Sequence, residues 1–320
     1  MAETREKNSH DRVMVRAPAS TSNLGPGFDV FGLALDLLYD TVEVHRSNEK
    51  GVTIEMDGFR AENIPVKPER NTAGRTALEF AKRFGKFGCR IKVNKGIPPG
   101  SGLGSSGASA AATAVALNHL LDLNLEKREL TEIAAQGEIT AAGAPHADNV
   151  APAIYGGFVI VRSYDPLEIL ALPPPTNLEF AIALPISIKK TTKKARSVLP
   201  KRVSLPKMTQ NIGASSYIVA GVLLSDPILF GKGMLGDQVL EPARAPLYPG
   251  YLEAKKAAMQ AGALAATLSG AGPTIMALVD RQNVDPKAVA RVMKEAFLAK
   301  GIECLEYVSR PATGAQIVHN

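Results

Sequence analysis

PPGSGLGSSGASAA, residues 98–111, sets four glycines and four serines between an alternating strand pattern and a long alanine-rich segment. A loop with so little side-chain bulk, running straight into a helix, leaves backbone N–H groups bare and pointing one way. Glycine permits the unusual dihedrals and close approach, and the helix start adds unpaired donors and the positive end of its dipole. The stretch therefore predicts an anion cradle, with phosphate as the anion. GLGSSG also satisfies the dinucleotide fingerprint G-x-G-x-x-G. However, Pro98 and Pro99 stretch the entry, and Asp122 leads into a second helix where that fingerprint needs a strand. The phosphate loop G-x-x-x-x-G-K-[ST] is missing too, since no lysine follows the glycines. A Gly/Ser turn with no ligand stays open at this point.

The flanking sequence has a consistent order. Residues 13–17, 41–46, 51–56 and 90–94 alternate or are β-branched and read as strands, while 71–85, 105–121 and 125–143 read as helices and 155–163 as another strand. After the Pro-rich piece SYDPLEILALPPPTN (163–177) the pattern restarts with a strand, EFAIALP. A basic segment follows, then helices at 208–225 and 251–261, strands at 264–269 and 274–279, a helix at 286–300 and a strand at 304–308. A chain of 320 residues with 45% hydrophobic content can bury two cores, so the expected organisation is two domains, 1–168 and 169–320.

Composition narrows the function classes. The charged start MAETREKNSHDR has no apolar core, and no later run offers about 18 uncharged apolar residues, so no membrane partner and a cytoplasmic location are expected. Cys89 and Cys304 make neither a metal-ligand spacing nor a disulfide framework. The net charge of +6 raises the question of nucleic acid. The basic residues mostly alternate with acids, and with no Trp and 5% aromatics there is no platform on which bases would stack. The exception is KKTTKKARSVLPKR (189–202), an acid-free run suited to steering a small anion.

PPGSGLGSSGASAA resembles the second motif of the GHMP kinases, P-x-x-x-G-L-G-S-S. Two further segments agree in order: APASTSNLGPGFDVFGLAL (17–35) resembles the first motif and LSGAGPTIMAL (268–278) the third. SNLGPGFD and HADNVAPAIYGG (146–157) together resemble the homoserine kinase family within that superfamily. The resemblance implies a two-domain α+β fold, an N-terminal α/β domain of the ribosomal-S5 type beside a ferredoxin-like C-terminal domain, and a homodimer. It also implies transfer of the ATP γ-phosphoryl group to L-homoserine in threonine synthesis, with Mg2+.

Carried onto this sequence, the resemblance assigns ATP phosphates to Ile97, Pro98, Pro99, Gly100, Ser101, Gly102, Leu103, Gly104, Ser105, Ser106 and Gly107, and Mg2+ to Ser106 and Glu138. Without the motif, Glu138 reads as a solvated helix residue. Asn23, Asp29, His146, Asn149, Arg196 and Arg244 would surround homoserine, with Thr192 as a further candidate and RNTAG (70–74) near the adenine. Arginine matches a carboxylate through paired hydrogen bonds, and Asp29 matches an ammonium. Asn149 stands where mevalonate kinases and galactokinases carry an aspartate base, so catalysis would lean on alignment and electrostatics. Another small hydroxy acid such as shikimate, or a silent ATP or amino-acid sensor, are the alternatives. Loss of Ser106 or Glu138 would mark the sensor, and both are present.

Overall fold

The computed structural model describes residues 11–318 apart from 143–145, 174–177 and 189–191; side chains are not described for 140–142 either. Lys189, Lys190 and Thr191 of the basic run, and residues 174–177 at the end of the Pro-rich stretch, lie outside the described residues. The chain runs β1 (Arg12–Asn23), β2 (Gly27–Arg46), β3 (Gly51–Gly58), α1 (Thr72–Phe84), β4 (Gly88–Lys95), α2 (Ser105–Leu120), α3 (Lys127–Ala142), α4 (Val150–Tyr155), β5 (Phe158–Tyr164) and β6 (Leu167–Leu172). It continues with β7 (Glu179–Pro185), α5 (Thr192–Ser197), α6 (Leu205–Leu223), α7 (Pro227–Met234), α8 (Leu240–Arg244), α9 (Tyr251–Gln260), β8 (Ala265–Leu268), β9 (Ile275–Val279), α10 (Pro286–Leu298), β10 (Cys304–Ser309) and β11 (Gln316–Ile317).

The first sheet has the order β11-β1-β2-β4-β3, with β5 and β6 added beside the first part of β2. β2 is long enough to serve two neighbours: Phe31–Leu33 pair with β5, and Thr41–Arg46 pair with β4. Against this sheet lies α2. Twelve of its sixteen residues are buried, which its Ala, Ser and Gly side chains allow because the helix can be approached from the sheet and from α1 and α3 at once. The second sheet is antiparallel in the order β10-β7-β9-β8, with α10 between β9 and β10. Numbered along the chain that is 4-1-3-2, the ferredoxin-like order expected. β7 is buried along its whole length. Phe180, Ile182 and Leu184 face the core shared with the first sheet, and Ala181 and Ala183 face α9 and α10. Phe230 of α7 bridges the two sheets, its ring 6.4 Å from that of Phe158 and 6.5 Å from that of Phe180.

The structure adds elements that local pattern did not expose. β6 lies inside the Pro-rich piece, where LEILAL is too short and too closely flanked by prolines to register as a strand. α4 spans six residues, fewer than two turns, so it shows no helical period. α7 was also absorbed into the loop after the long helix. After β10 the chain returns to the first sheet, where β11 pairs with Val15 and Arg16.

Candidate active site

The phosphate-type loop is built by its surroundings. β4 ends at Lys95, α2 starts at Ser105, and Gly100, Gly102 and Gly104 between them hold φ of 71°, 85° and 66°. These are left-handed values that only glycine adopts without strain. A Cβ on Gly102 would lie 2.4 Å from the Ser269 carbonyl oxygen, and one on Gly104 would lie 2.0 Å from Ser20 Oγ. The glycine turn before β9 grips the loop from outside: Ser269 Oγ donates to the Gly102 carbonyl (2.7 Å), and the Thr274 N–H donates to that of Ser101 (3.1 Å). On the other side the Ser20 N–H donates to the Leu103 carbonyl (3.1 Å). Gly104 is the N-cap of α2 and no side chain caps the helix, so its first N–H groups have no intrahelical partner and border a cleft of about 650 Å³.

Of the loop residues assigned to phosphates, Pro99, Gly100, Gly102, Gly104, Ser105 and Ser106 line that cleft. Ile97, Pro98, Ser101, Leu103 and Gly107 are buried behind it, with Ile97 and Leu103 wholly in the core. Beneath the loop is a buried ion pair that sequence reading missed. Lys95 Nζ donates to Asp40, to the Ser105 carbonyl (2.8 Å) and to Ser109 Oγ (2.8 Å). Asp40 also accepts from the Ile97 N–H (3.0 Å) and from Ser109 Oγ (2.7 Å), which ties both ends of the loop to one point. A signal was present: β4 alternates buried and outward positions, and Lys95 falls on the same face as Cys89, Ile91 and Val93. A lysine on a core face demands an acid.

Ser106 Oγ donates to Glu138 Oε2 at 2.9 Å. Glu138 is 5% exposed and its Oε1 has no hydrogen-bond partner among the described residues. Burial pushes its carboxyl up to about 7, opposed by the Ser106 hydrogen bond and reinforced by Asp148. An orphaned, buried carboxylate oxygen beside a hydroxyl is the hard oxygen set that a divalent cation takes up, so these residues fit Mg2+.

The remaining assigned residues meet at the other end of the cleft. In the turn between β1 and β2, Asn23 and Asp29 adopt φ of 70° and 56°, a cost borne by the structure around them. Asn23 holds the turn, accepting from the Asp29 N–H (3.2 Å) and donating to the Gly270 carbonyl (3.0 Å). Arg196 of α5 pairs with Asp29 at 2.5 Å and lies 3.3 Å from His146 Nδ1. Arg244 is 3% exposed and donates to the carbonyls of Ala195 (3.2 Å) and Gly270 (3.0 Å). Both guanidiniums lie over the Phe28 ring, at 4.9 and 5.6 Å from its centroid. Thr192, Arg70, Asn71 and Thr72 also line the cleft.

Asn149 lies between the two ends. Its Nδ2 donates to Ser22 Oγ (3.1 Å) and its Oδ1 accepts from Ser20 Oγ (3.1 Å). Its neighbour Asp148, overlooked in HADN, is 5% exposed. Burial and the nearby Asp29 charge raise its carboxyl to about 6, against a hydrogen bond from Ser22. Ligand atoms of Asp29, His146 and Asp148 all lie within 4.8 Å of one another. His146 is held below the usual histidine value, chiefly by burial and then by Arg196, so it presents a neutral ring.

The chain is similar to known proteins over nearly its whole length. Residues 71–157 match the GHMP kinases N terminal domain and residues 218–299 the GHMP kinases C terminal domain. A homoserine kinase of Methanococcus maripaludis is 43% identical over 307 residues, covering 96% of this chain and 98% of the relative. The crystal structure of homoserine kinase from Cytophaga hutchinsonii superposes with a TM-score of 0.91 at 40% identity, over 99% of this chain and 100% of that one. A putative homoserine kinase from Listeria monocytogenes gives 0.72 at 30% identity, over 96% and 100%.

Proposed function

The chain belongs to the GHMP kinases and, among them, to the homoserine kinase family, and on that premise we propose how this ATP-dependent kinase uses the cleft to phosphorylate L-homoserine. The γ-phosphoryl group of ATP passes to the side-chain hydroxyl: the new O–P bond forms, the bridging P–O bond to ADP breaks, and the hydroxyl proton leaves to solvent or a nearby acceptor. One observation carries the assignment. A single cleft opens both on the uncapped start of α2 and on a set of paired charges suited to an amino acid.

The loop amides and the N-terminus of α2 bind the phosphates. Ser106 and Glu138 hold Mg2+, which when bound offsets charge on the transferring group. Asp29 and Asp148 offer carboxylate oxygens to the ammonium, with His146 beside them. Arg196 and Arg244, held over one aromatic ring, take the carboxylate, whose charge also relieves their mutual repulsion. Asn149 orients the hydroxyl. Asparagine accepts no proton, and magnitudes permit the loss: a general base is worth roughly 10²–10⁴-fold, whereas positioning contributes up to about 7–11 kcal/mol. A second reading is favoured by the raised carboxyl of Asp148, which shares Ser22 with Asn149 and would accept the proton itself.

The same reading includes a homodimer, a cytoplasmic enzyme and two domains; the boundary expected at 168/169 falls inside β6, which pairs with β5 in the first sheet, so it is placed after Leu172. The test is ADP release with ATP and Mg2+ against L-homoserine, shikimate, mevalonate, galactose and no acceptor. A site that pairs its polar groups with one acceptor rejects a mismatched analogue by up to about 10⁴–10⁵-fold. Release with homoserine alone is expected. Release with another acceptor overturns the acceptor pocket, and no release at all points to the sensor.

A further inference from the structure

α8 is a single turn that carries one of the two arginines of the acceptor pocket, and its sequence gives it little means of standing alone. LEPAR (240–244) has five residues, far short of the roughly 12–15 at which a free helix becomes marginally stable. Its N-cap residue, Val239, has no side-chain acceptor for the first N–H groups. Arg244, its last residue, is buried and reaches out to the carbonyls of Ala195 in α5 and Gly270 in the glycine turn before β9. Asn23 donates to the same Gly270 carbonyl, so the guanidinium is laid against the pocket at one defined place. Burial lowers its pKa, and Tyr248, Asp29 and Asp237 oppose that shift while Arg196 adds to it.

What holds α8 in place is a buried carboxylate just before it. Asp237 Oδ1 accepts from the N–H groups of Val239 (2.9 Å) and Leu240 (2.9 Å), and its Oδ2 accepts from that of Glu241 (2.7 Å). The next residue, Pro242, has no N–H to satisfy. The Gln238 N–H donates to Asn211 Oδ1 (2.9 Å), and Asn211 Nδ2 donates to Asp237 Oδ1 (3.3 Å), which ties the carboxylate itself to α6. Every N–H from residue 238 to residue 241 thus ends on one of two side chains, with a negative charge where the peptide dipoles favour it. On its flank Glu241 pairs with Lys255 of α9 and accepts from Thr267 of β8 (3.4 Å), which resists rotation of the turn. Asp237 itself does not line the cleft. We infer that Asp237 is a positioning residue for homoserine: by collecting these N–H groups it fixes the one-turn helix that aims Arg244 at the substrate carboxylate. The inference rests on the amino-acid pocket proposed above and extends it to a residue outside the cleft.

The experiment is steady-state kinetics with both substrates for Asp237→Ala, Asp237→Asn, Asn211→Ala, Arg244→Ala and the double variant Asp237→Ala/Arg244→Ala, with circular dichroism to verify the fold. Asp237→Ala should raise the KM for homoserine by about 10-fold, the scale of a lost helix cap, with kcat and the KM for ATP held within about two-fold. Asparagine keeps the Oδ1 acceptor, so Asp237→Asn should restore most of the affinity. If Asp237→Ala does not fold, Asn211→Ala, at a half-buried position, carries the same test with a rise of about 3-fold. Arg244→Ala should itself raise the KM for homoserine by about 100-fold. Adding Asp237→Ala to it should change that KM by less than about two-fold, because no guanidinium is left to aim. A purely structural role would lower kcat through loss of active protein, leave both KM values unchanged and act equally with and without Arg244; that result overturns the inference. A wild-type KM for homoserine in Arg244→Ala would overturn the pocket and the inference together.

Discussion

Replacing Glu138 by Gln should make the protein more stable and nearly inactive, and the pH at which the stability gain appears is set by the site. In the folded chain the carboxyl rises from its ordinary 4.5 to about 7, chiefly through burial. Between those values the folded state keeps a proton that the unfolded state has released, so wild-type stability falls as pH rises from about 4.5 to about 7 and levels off above. The difference of about 2.5 units corresponds to at most about 3 kcal/mol. Glutamine keeps an acceptor for Ser106 and carries no charge, so its advantage should grow across that interval and be flat beyond it. Urea unfolding of both proteins at several pH values without divalent cations measures the difference, and saturating Mg2+ should narrow it by binding the ionised wild type. Turnover with Mg2+ should fall by at least about 100-fold. The reasoning fails if the stability difference is independent of pH, or if Glu138→Gln keeps wild-type turnover.

Asn149→Ala should lower kcat by roughly 10²-fold or more with saturating homoserine while leaving its KM within a few-fold; unchanged turnover would remove Asn149 from the chemistry. Arg244→Lys should raise the KM for homoserine by about 10–100-fold and spare that for ATP, since a charged hydrogen bond contributes about 1.5–3 kcal/mol; equal losses for both substrates would mean a general collapse of the cleft. For Asp148, the wild-type acid limb of kcat/KM for homoserine should titrate near 6, because the raised carboxyl must be ionised to receive the ammonium. Asp148→Asn should abolish that limb with the loss mainly in KM. A loss confined to kcat would favour the proton-acceptor reading. Gly102→Ala, whose Cβ would meet a backbone carbonyl at 2.4 Å in a left-handed conformation, should cost about 1–3 kcal/mol in urea unfolding and weaken ATP binding.

How legible the site was depended on how local its cause is. Three ordered motifs were enough for the family, because glycine at 100, 102 and 104 and the bare start of α2 are consequences of backbone conformation, which neighbouring residues dictate. The helices at 72–84, 251–260 and 286–298 were legible for the same reason, and that at 105–120 from its alanine-rich composition. Asp148 and the Lys95–Asp40 pair were not. An acid in a polar loop looks solvated until Ser22 and the floor of the cleft close over it, and Lys95 and Asp40 lie 55 positions apart on different strands. α6 was read correctly as a helix, while its exposed outer side emerged only when α7 had taken the other. The sequence by itself determined the glycine-rich loop, the order of the main strands and helices and the charged residue types available for an amino-acid substrate. The tertiary structure decided which of those charges are buried, which face one another over Phe28, and which carboxyls hold protons near neutral pH, because desolvation and pairing depend on segments brought together from opposite ends of the chain.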